Sequence, residues 1–281
     1  MNNIFYSNKE KFEKLKKKFI SDSIHKIHIL ADFDSTLTKA FDNWKKIPWI
    51  FQIIVEHNLL WDDYSRNWKM LFEKYYPLEI NPNISIEDKK KFMQEWWENV
   101  FESLLKYWYN LEHVNYIWSN PYTKLRDWYD IFFNIISKTN IPLIVMSAAG
   151  VWSNTIEKFF EYNLDNTDNI KVISNVFEWD KKWKMIWYKK PLIHSFNKSE
   201  VLLENYPDIH NLVEKRRNVI LLWDSLWDHH MIDWFSCDNL LKIWYLNFNE
   251  DNLLEEYLKR YDVVITWDGD MSFINEFLNE C

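Results

Sequence analysis

Glycine is almost missing from this chain. Two residues, Gly150 and Gly269, serve 281 positions, where the usual share of ~7% gives about 20. An α/β chain so short of glycine has almost nothing to place at turns of positive φ. Cysteine is as scarce: Cys237 and Cys281 build no disulfide framework, which points to a reducing cytoplasm. No apolar run is long enough to span a membrane, and the polar N-terminus does not read as a signal peptide. Net positive charge is lacking too: the balance is −8, which argues against a nucleic-acid partner. The basic run from Lys9 to Lys18 follows a helical pattern and reads as a solvated face. Against these shortages stands one excess, 18 tryptophans. Added to the glycines they reach the glycine number a chain this long should carry. The expectation is that many are glycines encoded by UGA and written as tryptophan; the alternative is a protein truly rich in tryptophan.

The stretch that organises the rest is Ile27 to Thr38. Ile27, Ile29 and Leu30 form a short apolar run typical of a buried strand. It ends in Asp32 and Asp34, which point to the same side of an extended chain. Ser35 and Thr36 then favour a turn. Both carboxylates can therefore enter one pocket at the C-terminal edge of a sheet, where open α/β sheets bind ligands. Two close carboxylates need a shared proton or a metal. A strand end followed by an ordinary polar turn would read the same way.

Around that strand the pattern predicts an N-terminal helix over 3–22 and helical segments near 50–75 and 86–110. The latter two are split by a double-proline break, Pro77 and Pro82. Residues 43–120 thus read as a helical cap inserted after the first strand, leaving 1–42 and 121–281 as the core. Downstream, a helix over 122–138, a strand over 141–146, a helix from 154, a strand near 170–175 and a hairpin-like stretch over 176–188 follow. A helix near Lys198, strands over 218–222, 241–246 and 262–266, and helices over 250–260 and 271–279 complete the chain. Alternating strands and helices imply an α/β fold, a mostly parallel sheet flanked by helices. The chain contains no internal repeat.

Three further places carry chemistry. Ser147, at a strand tip and followed by Ala148, Ala149 and Gly150, can bring a hydroxyl and backbone N–H groups to a phosphate oxygen; it also suits a helix cap. Lys198, after His194-Ser195-Phe196-Asn197, can offset a carboxylate cluster, or be a surface lysine. Leu221-Leu222-Trp223-Asp224-Ser225-Leu226-Trp227-Asp228 runs a strand into two carboxylates four apart, suited to a hard cation or to a solvated helix start. His229 and His230 are neighbours and rarely face one way, so packing explains them better than metal ligation.

In this order the four places resemble the motifs of the haloacid dehalogenase (HAD) superfamily of phosphatases. The resemblance narrows to the cytosolic pyrimidine 5'-nucleotidase family of the 5'-nucleotidase III type, from about Lys26 to the C-terminus. Ala31–Thr38, the Lys74-Tyr75-Tyr76-Pro77-Leu78-Glu79 segment, Met93–Trp97 and Leu192–Lys198 carry it. It implies a HAD-like Rossmannoid core with an inserted helical cap. It implies Asp32 as nucleophile, Asp34 as acid and base, and phosphate binding by Ser147, Ala148 and Lys198. It implies Mg2+ held by Asp32, the backbone carbonyl of Asp34, Asp224 and Asp228, and nucleoside contacts from Glu79 and Trp97. The implied activity is Mg2+-dependent hydrolysis of a nucleoside monophosphate, with a pyrimidine preference, by a cytoplasmic monomer. Rival readings are another HAD phosphatase, such as a phosphoserine phosphatase, or an inactive nucleotide-binding protein if every tryptophan is real. Where the family has a substrate-contacting serine, Val100 stands, with Ser103 the nearest hydroxyl. The family has glycine where this chain has Trp44, Trp128, Trp187, Trp223, Trp227, Trp234 and Trp244, and tryptophan at Trp96. Large indoles at 223 and 227 are expected to crowd the metal carboxylates.

Overall fold

A computed structural model describes residues 3–148, 151–198, 206–224, 237–248 and 250–281. The first described strand, β1 (Ile4–Tyr6), precedes helix α1 (Lys9–Asp22). The helix expected over 3–22 therefore starts later. Its first residues pair antiparallel with β11 (Val263–Thr266) at a sheet edge. Three residues are too few to show an alternation against the strong helical period that follows.

Strand β2 (Ile27–Ala31) is buried along its whole length. It lies between two parallel neighbours, β5 (Leu143–Met146) and β9 (Asn218–Trp223). With β6 (Ile170–Ile173) and β10 (Asn239–Leu246) these form a seven-stranded sheet of order β1-β11-β10-β9-β2-β5-β6. Among the described strands of this sheet only the β1 pairing is antiparallel. Both sheet faces are covered. Ile27, Ile29, Ile220 and Leu222 enter one core cluster, while Leu30, Val219, Leu221 and Trp223 enter the other. Near-continuous apolar strands are what a parallel sheet buried on both faces requires. The chain moves outward in opposite directions from β2, so the C-terminal ends of β2, β5 and β9 frame a crevice at the point where strand order reverses. Helices α6 (Tyr129–Lys138), α7 (Ser153–Asn163), α8 (Pro207–Val213), α9 (Glu250–Leu258) and α10 (Ser272–Glu280) follow or flank these strands. No helix among the described residues is long and apolar enough to cross a membrane.

Between β2 and α6 lie a two-residue hairpin, β3 (Phe41–Asp42) with β4 (Lys45–Lys46), and helices α2 (Ile53–Glu56), α3 (Trp61–Ile80), α4 (Ile86–Lys106) and α5 (Leu111–Trp118). Pro77 lies inside α3, so the expected double-proline break begins only at Asn81. Ser85 then caps α4 by accepting from Asp88 N–H. The hairpin of β7 (Phe177–Trp179) and β8 (Met185–Tyr188), counted with the core on sequence, packs on this helical insertion. Phe101 of α4 meets Phe177 and Tyr188 at 5.1 and 5.3 Å between ring centroids. Leu111 N–H also donates to Trp183 O, and Met185 N–H to Tyr109 O.

Among the described residues seven tryptophans, at 44, 61, 108, 128, 152, 183 and 267, have positive φ between 59 and 75°. That region costs a residue bearing Cβ about 1–2 kcal/mol. Seven such residues cost on the order of 10 kcal/mol, as much as the whole net stability of a typical domain. Asn43 and Trp44 form the two-residue loop of the β3–β4 hairpin, both at positive φ, the geometry that Asn-Gly serves best.

Candidate active site

Asp32 and Asp34 leave the C-terminal end of β2. Asp32 N–H still donates to Leu222 O on β9, at 3.2 Å, which fixes the residue at the sheet edge. Its carboxylate accepts from Phe33 N–H at 2.8 Å and pairs with Lys198 Nζ at 3.1 Å. The Lys198 side chain is only 3% exposed and that of Asp32 15%, so this pair is weakly screened. Asp34 faces the insertion: its carboxylate accepts from Ile50 N–H at 2.8 Å. Burial pushes its pKa up to about 7, against the opposing pull of the Ile50 hydrogen bond and Lys198, with the Asp32 charge adding to the rise. Neighbouring carboxylates are thus split, one paired with an ammonium and the other poised to hold a proton near neutrality.

The chain after Asp34 turns sharply. Ser35 has φ 57° and donates its N–H to Thr38 Oγ1 at 2.9 Å. Thr36 Oγ1 donates to Asp224 Oδ1 at 3.4 Å, linking this turn to the residue that ends β9.

Lys198 is placed by a web of short polar contacts. Ile193 N–H donates to Asn175 Oδ1 and Asn175 Nδ2 donates to Ile193 O. Asn197 Oδ1 accepts from His194 N–H, while its Nδ2 donates to Leu192 O. His194 Nδ1 accepts from Phe196 N–H. Burial, with Lys90 and Lys198 nearby, lowers the His194 pKa to about 3, so the ring stays neutral and structural. Ser147, fully buried, extends β5 by donating its N–H to Ile173 O. Since Val145 is level with Ala31, Ser147 and Ala148 stand at the strand tip beside Asp32.

Glu79, in the last turn of α3, reaches the core. Its carboxylate accepts from Ser195 Oγ at 2.6 Å, and burial raises its pKa. Lys89 Nζ donates to Glu79 O from α4. Trp97 packs against Phe51 and Phe101, at 5.6 and 5.5 Å between centroids, and Phe51 follows the residue that holds Asp34.

Six of the residues read from the sequence, Asp32, Asp34, Ser147, Ala148, Lys198 and Asp224, therefore gather at one sheet edge, with Glu79 joined to them through Ser195. Asp228, Gly150, Trp227, Trp234, His229 and His230 lie outside the described residues. Ser103 is used inside the helical insertion, accepting from Asn67 Nδ2. The expected crowding by residue 223 takes another form. The Trp223 indole is buried in the second core cluster, with Lys198 Nζ 4.3 Å above its ring.

For a divalent cation, Asp32 and Asp224 offer carboxylate oxygens from the ends of the adjacent parallel strands β2 and β9. That chemistry fits Mg2+. Among the described residues no three His, Cys, Asp or Glu side chains form a closed metal cluster, so the fit is to an open site completed by carbonyls, water and substrate oxygens. Ser195, Thr36, Arg126 and the Ile50 N–H were not singled out from sequence. Each acts through a contact made elsewhere in the chain; Thr36 had a signal as a turn former after Asp34, and Ser195 had one in its place in the Lys198 segment.

The profile described as Pyrimidine 5'-nucleotidase (UMPH-1) matches residues 35–281. The chain is 33% identical over 254 residues to the 7-methylguanosine phosphate-specific 5'-nucleotidase B of Xenopus laevis, covering 90% of this chain and 87% of that one. It is 29% identical to the human 7-methylguanosine phosphate-specific 5'-nucleotidase, covering 90% and 84%. The crystal structure of cytosolic 5'-nucleotidase IIIB bound to cytidine superposes with a TM-score of 0.89 at 25% identity, covering 100% and 94%. A phosphoserine phosphatase, solved as a phospho-aspartyl intermediate analogue, shares the fold at a TM-score of 0.50 and 17% identity, covering 89% and 97%.

Proposed function

The chain belongs to the pyrimidine 5'-nucleotidase (UMPH-1) family, and we propose on that premise that it hydrolyses nucleoside 5'-monophosphates through a phosphorylated Asp32. The Lys198–Asp32 pair beside a carboxyl raised to about 7 carries this reading. The Asp32 carboxylate attacks phosphorus and forms an acyl-phosphate as the bond from phosphorus to the 5'-oxygen breaks. Asp34 gives its proton to that departing oxygen, then takes one from the water that attacks phosphorus and releases phosphate and free Asp32. Lys198, the Ser147 hydroxyl and the Ala148 N–H hold the phosphoryl oxygens. Asp32, Asp224, the Asp34 carbonyl and Asp228 would hold Mg2+, which would supply charge neutralisation at the phosphoryl group. The helical insertion over 43–120 acts as the cap. It brings Glu79 to accept from an exocyclic base amine or a sugar hydroxyl, and Trp97 to stack on the base.

The substrate class is a pyrimidine nucleotide, in keeping with the family's name and the cytidine in the similar structure. A 7-methylguanosine monophosphate is the second reading, favoured by the names of the curated relatives. The cationic base it carries would stack well on Trp97. The similar proteins called cytosolic support a cytoplasmic place. The test is phosphate release by the protein purified from its own cells, across nucleoside monophosphates and phosphoserine with Mg2+. Release from nucleotides is expected. Preference for phosphoserine, or nucleotide binding without release, contradicts the reading.

A further inference from the structure

We propose that Arg126 is a positioning residue for the catalytic turn, a role that rests on the nucleotidase reading above. It is fully buried beside the turn that follows β2 and the C-terminal ends of β10 and β11. All five of its N–H donors are used. Nε donates to Thr36 O at 2.6 Å, and Nη1 to Gly269 O at 2.6 Å and Asp268 Oδ1 at 3.0 Å. Nη2 donates to Ser35 O and to Asn247 Oδ1. The guanidinium stacks 3.9 Å above the Tyr245 ring. Ser35 O takes a second bond from Asn247 Nδ2. Asp268 accepts from Ala40 and Phe41 N–H, where the chain departs for the insertion.

One planar fork thus ties the two residues after Asp34 to the ends of β10 and β11 and, through Asp268, to the root of the insertion. Asp34 is then held from two sides, through the Ser35 and Thr36 carbonyls that Arg126 binds and through the bond of its own carboxyl to Ile50 N–H. Thr36, held at its carbonyl by Arg126, carries the hydroxyl bonded to Asp224. Lysine keeps the charge but cannot reproduce a five-donor fork. The test is steady-state kinetics of Arg126→Lys beside the unaltered enzyme. The expectation is a kcat lower on the order of 10- to 100-fold with KM changed by no more than about twofold, as for a catalytic group slightly displaced. Asn247→Ala, which removes one arm only, should show the same split in milder form. A folded Arg126→Lys enzyme with unchanged kcat overturns the role, as does a loss that merely follows the folded fraction. If Arg126→Lys does not fold, unchanged kcat in Asn247→Ala overturns it. Absence of activity in the unaltered chain is a failure of the nucleotidase reading instead.

An independent observation carries a second inference: the seven tryptophans of positive φ are glycine in the protein its own cells make. Six of them are exposed, Trp44 to 91%, so their indoles add little to the core they strain. Trp183 sits at the left-handed position of the β7–β8 loop, where its N–H donates to Asp180 O and Lys184 O accepts from Asp180 N–H. Trp44 holds the glycine place of an Asn-Gly turn. Trp96, by contrast, lies within α4, is 8% exposed and stacks on Tyr75, the behaviour of a genuine tryptophan. In-frame UGA codons decoded as glycine account for both groups. Mass spectrometry of the protein from its native cells tests this on the tryptic peptides 40–45 and 127–138, which hold residues 44 and 128. Glycine masses are expected, with tryptophan at 96 in peptide 92–106. Tryptophan at 44 and 128 overturns the inference.

Discussion

Asp34 differs from Asp32 in what surrounds it, and that difference has a measurable consequence. The unfolded chain releases this proton near 3.8, the folded protein near 7. Between these values the folded state binds more protons, so stability falls as pH rises. In the metal-free protein the fall should be on the order of a few kcal/mol. Denaturation of the Asp34→Asn variant across pH 4 to 8 should show that part of the slope removed, while phosphate release is lost. Lys198→Ala removes the ammonium 3.1 Å from Asp32. It should lower kcat on the order of 100- to 1,000-fold, checked by initial rates at saturating nucleotide. The charged residues of this site were legible because each follows a strand or sits in a local pattern. Ser195 and Arg126 were not. Their partners, Glu79 and the 35–36 carbonyls, lie 116 and about 90 positions away, and no local pattern encodes such pairings.

At the scale of elements, the parallel strands of the core were read well because each is an apolar run, whereas β1 was read as helix and the short β3–β4 pair was not read at all. The failures have physical causes. Pro77 lacks an N–H, yet it falls in the last turn of α3, where Tyr75 is buried and Tyr76 stacks on Phe72. Packing there offsets the lost bond. The β7–β8 hairpin was legible as a hairpin, but not as a companion of the insertion, since that attachment is made by Phe101 and by backbone bonds from Leu111 and Met185 across more than 70 positions. Phe101→Ala should destabilise the protein by about 3–5 kcal/mol. Hydrogen exchange should speed first in the 177–188 amides. Equal loss of protection across β2 and β9 would contradict that placement. Gly269 shows what a true glycine does here. A Cβ would stand 2.3 Å from Ile265 Cγ2, so the backbone of that turn closes on β11 only without a side chain.

The whole molecule is organised around one sheet edge with a helical insertion above it. β2 supplies both aspartates, β5 the serine, β9 the third carboxylate, and the insertion holds Asp34 and offers Glu79. Removal of divalent cations should stop phosphate release and Mg2+ should restore it, since the charge of three carboxylates and a phosphate exceeds what Lys198 and Arg126 offset. The central claim is that Asp32 is the phosphoryl acceptor. Mg2+-dependent phosphate release from a nucleoside monophosphate by the Asp32→Asn enzyme tests it most directly, with glycine or tryptophan kept as the native protein has them. The account predicts that the unaltered enzyme releases phosphate and that Asp32→Asn, still folded and still binding nucleotide, releases none. Retained release in that variant would contradict it.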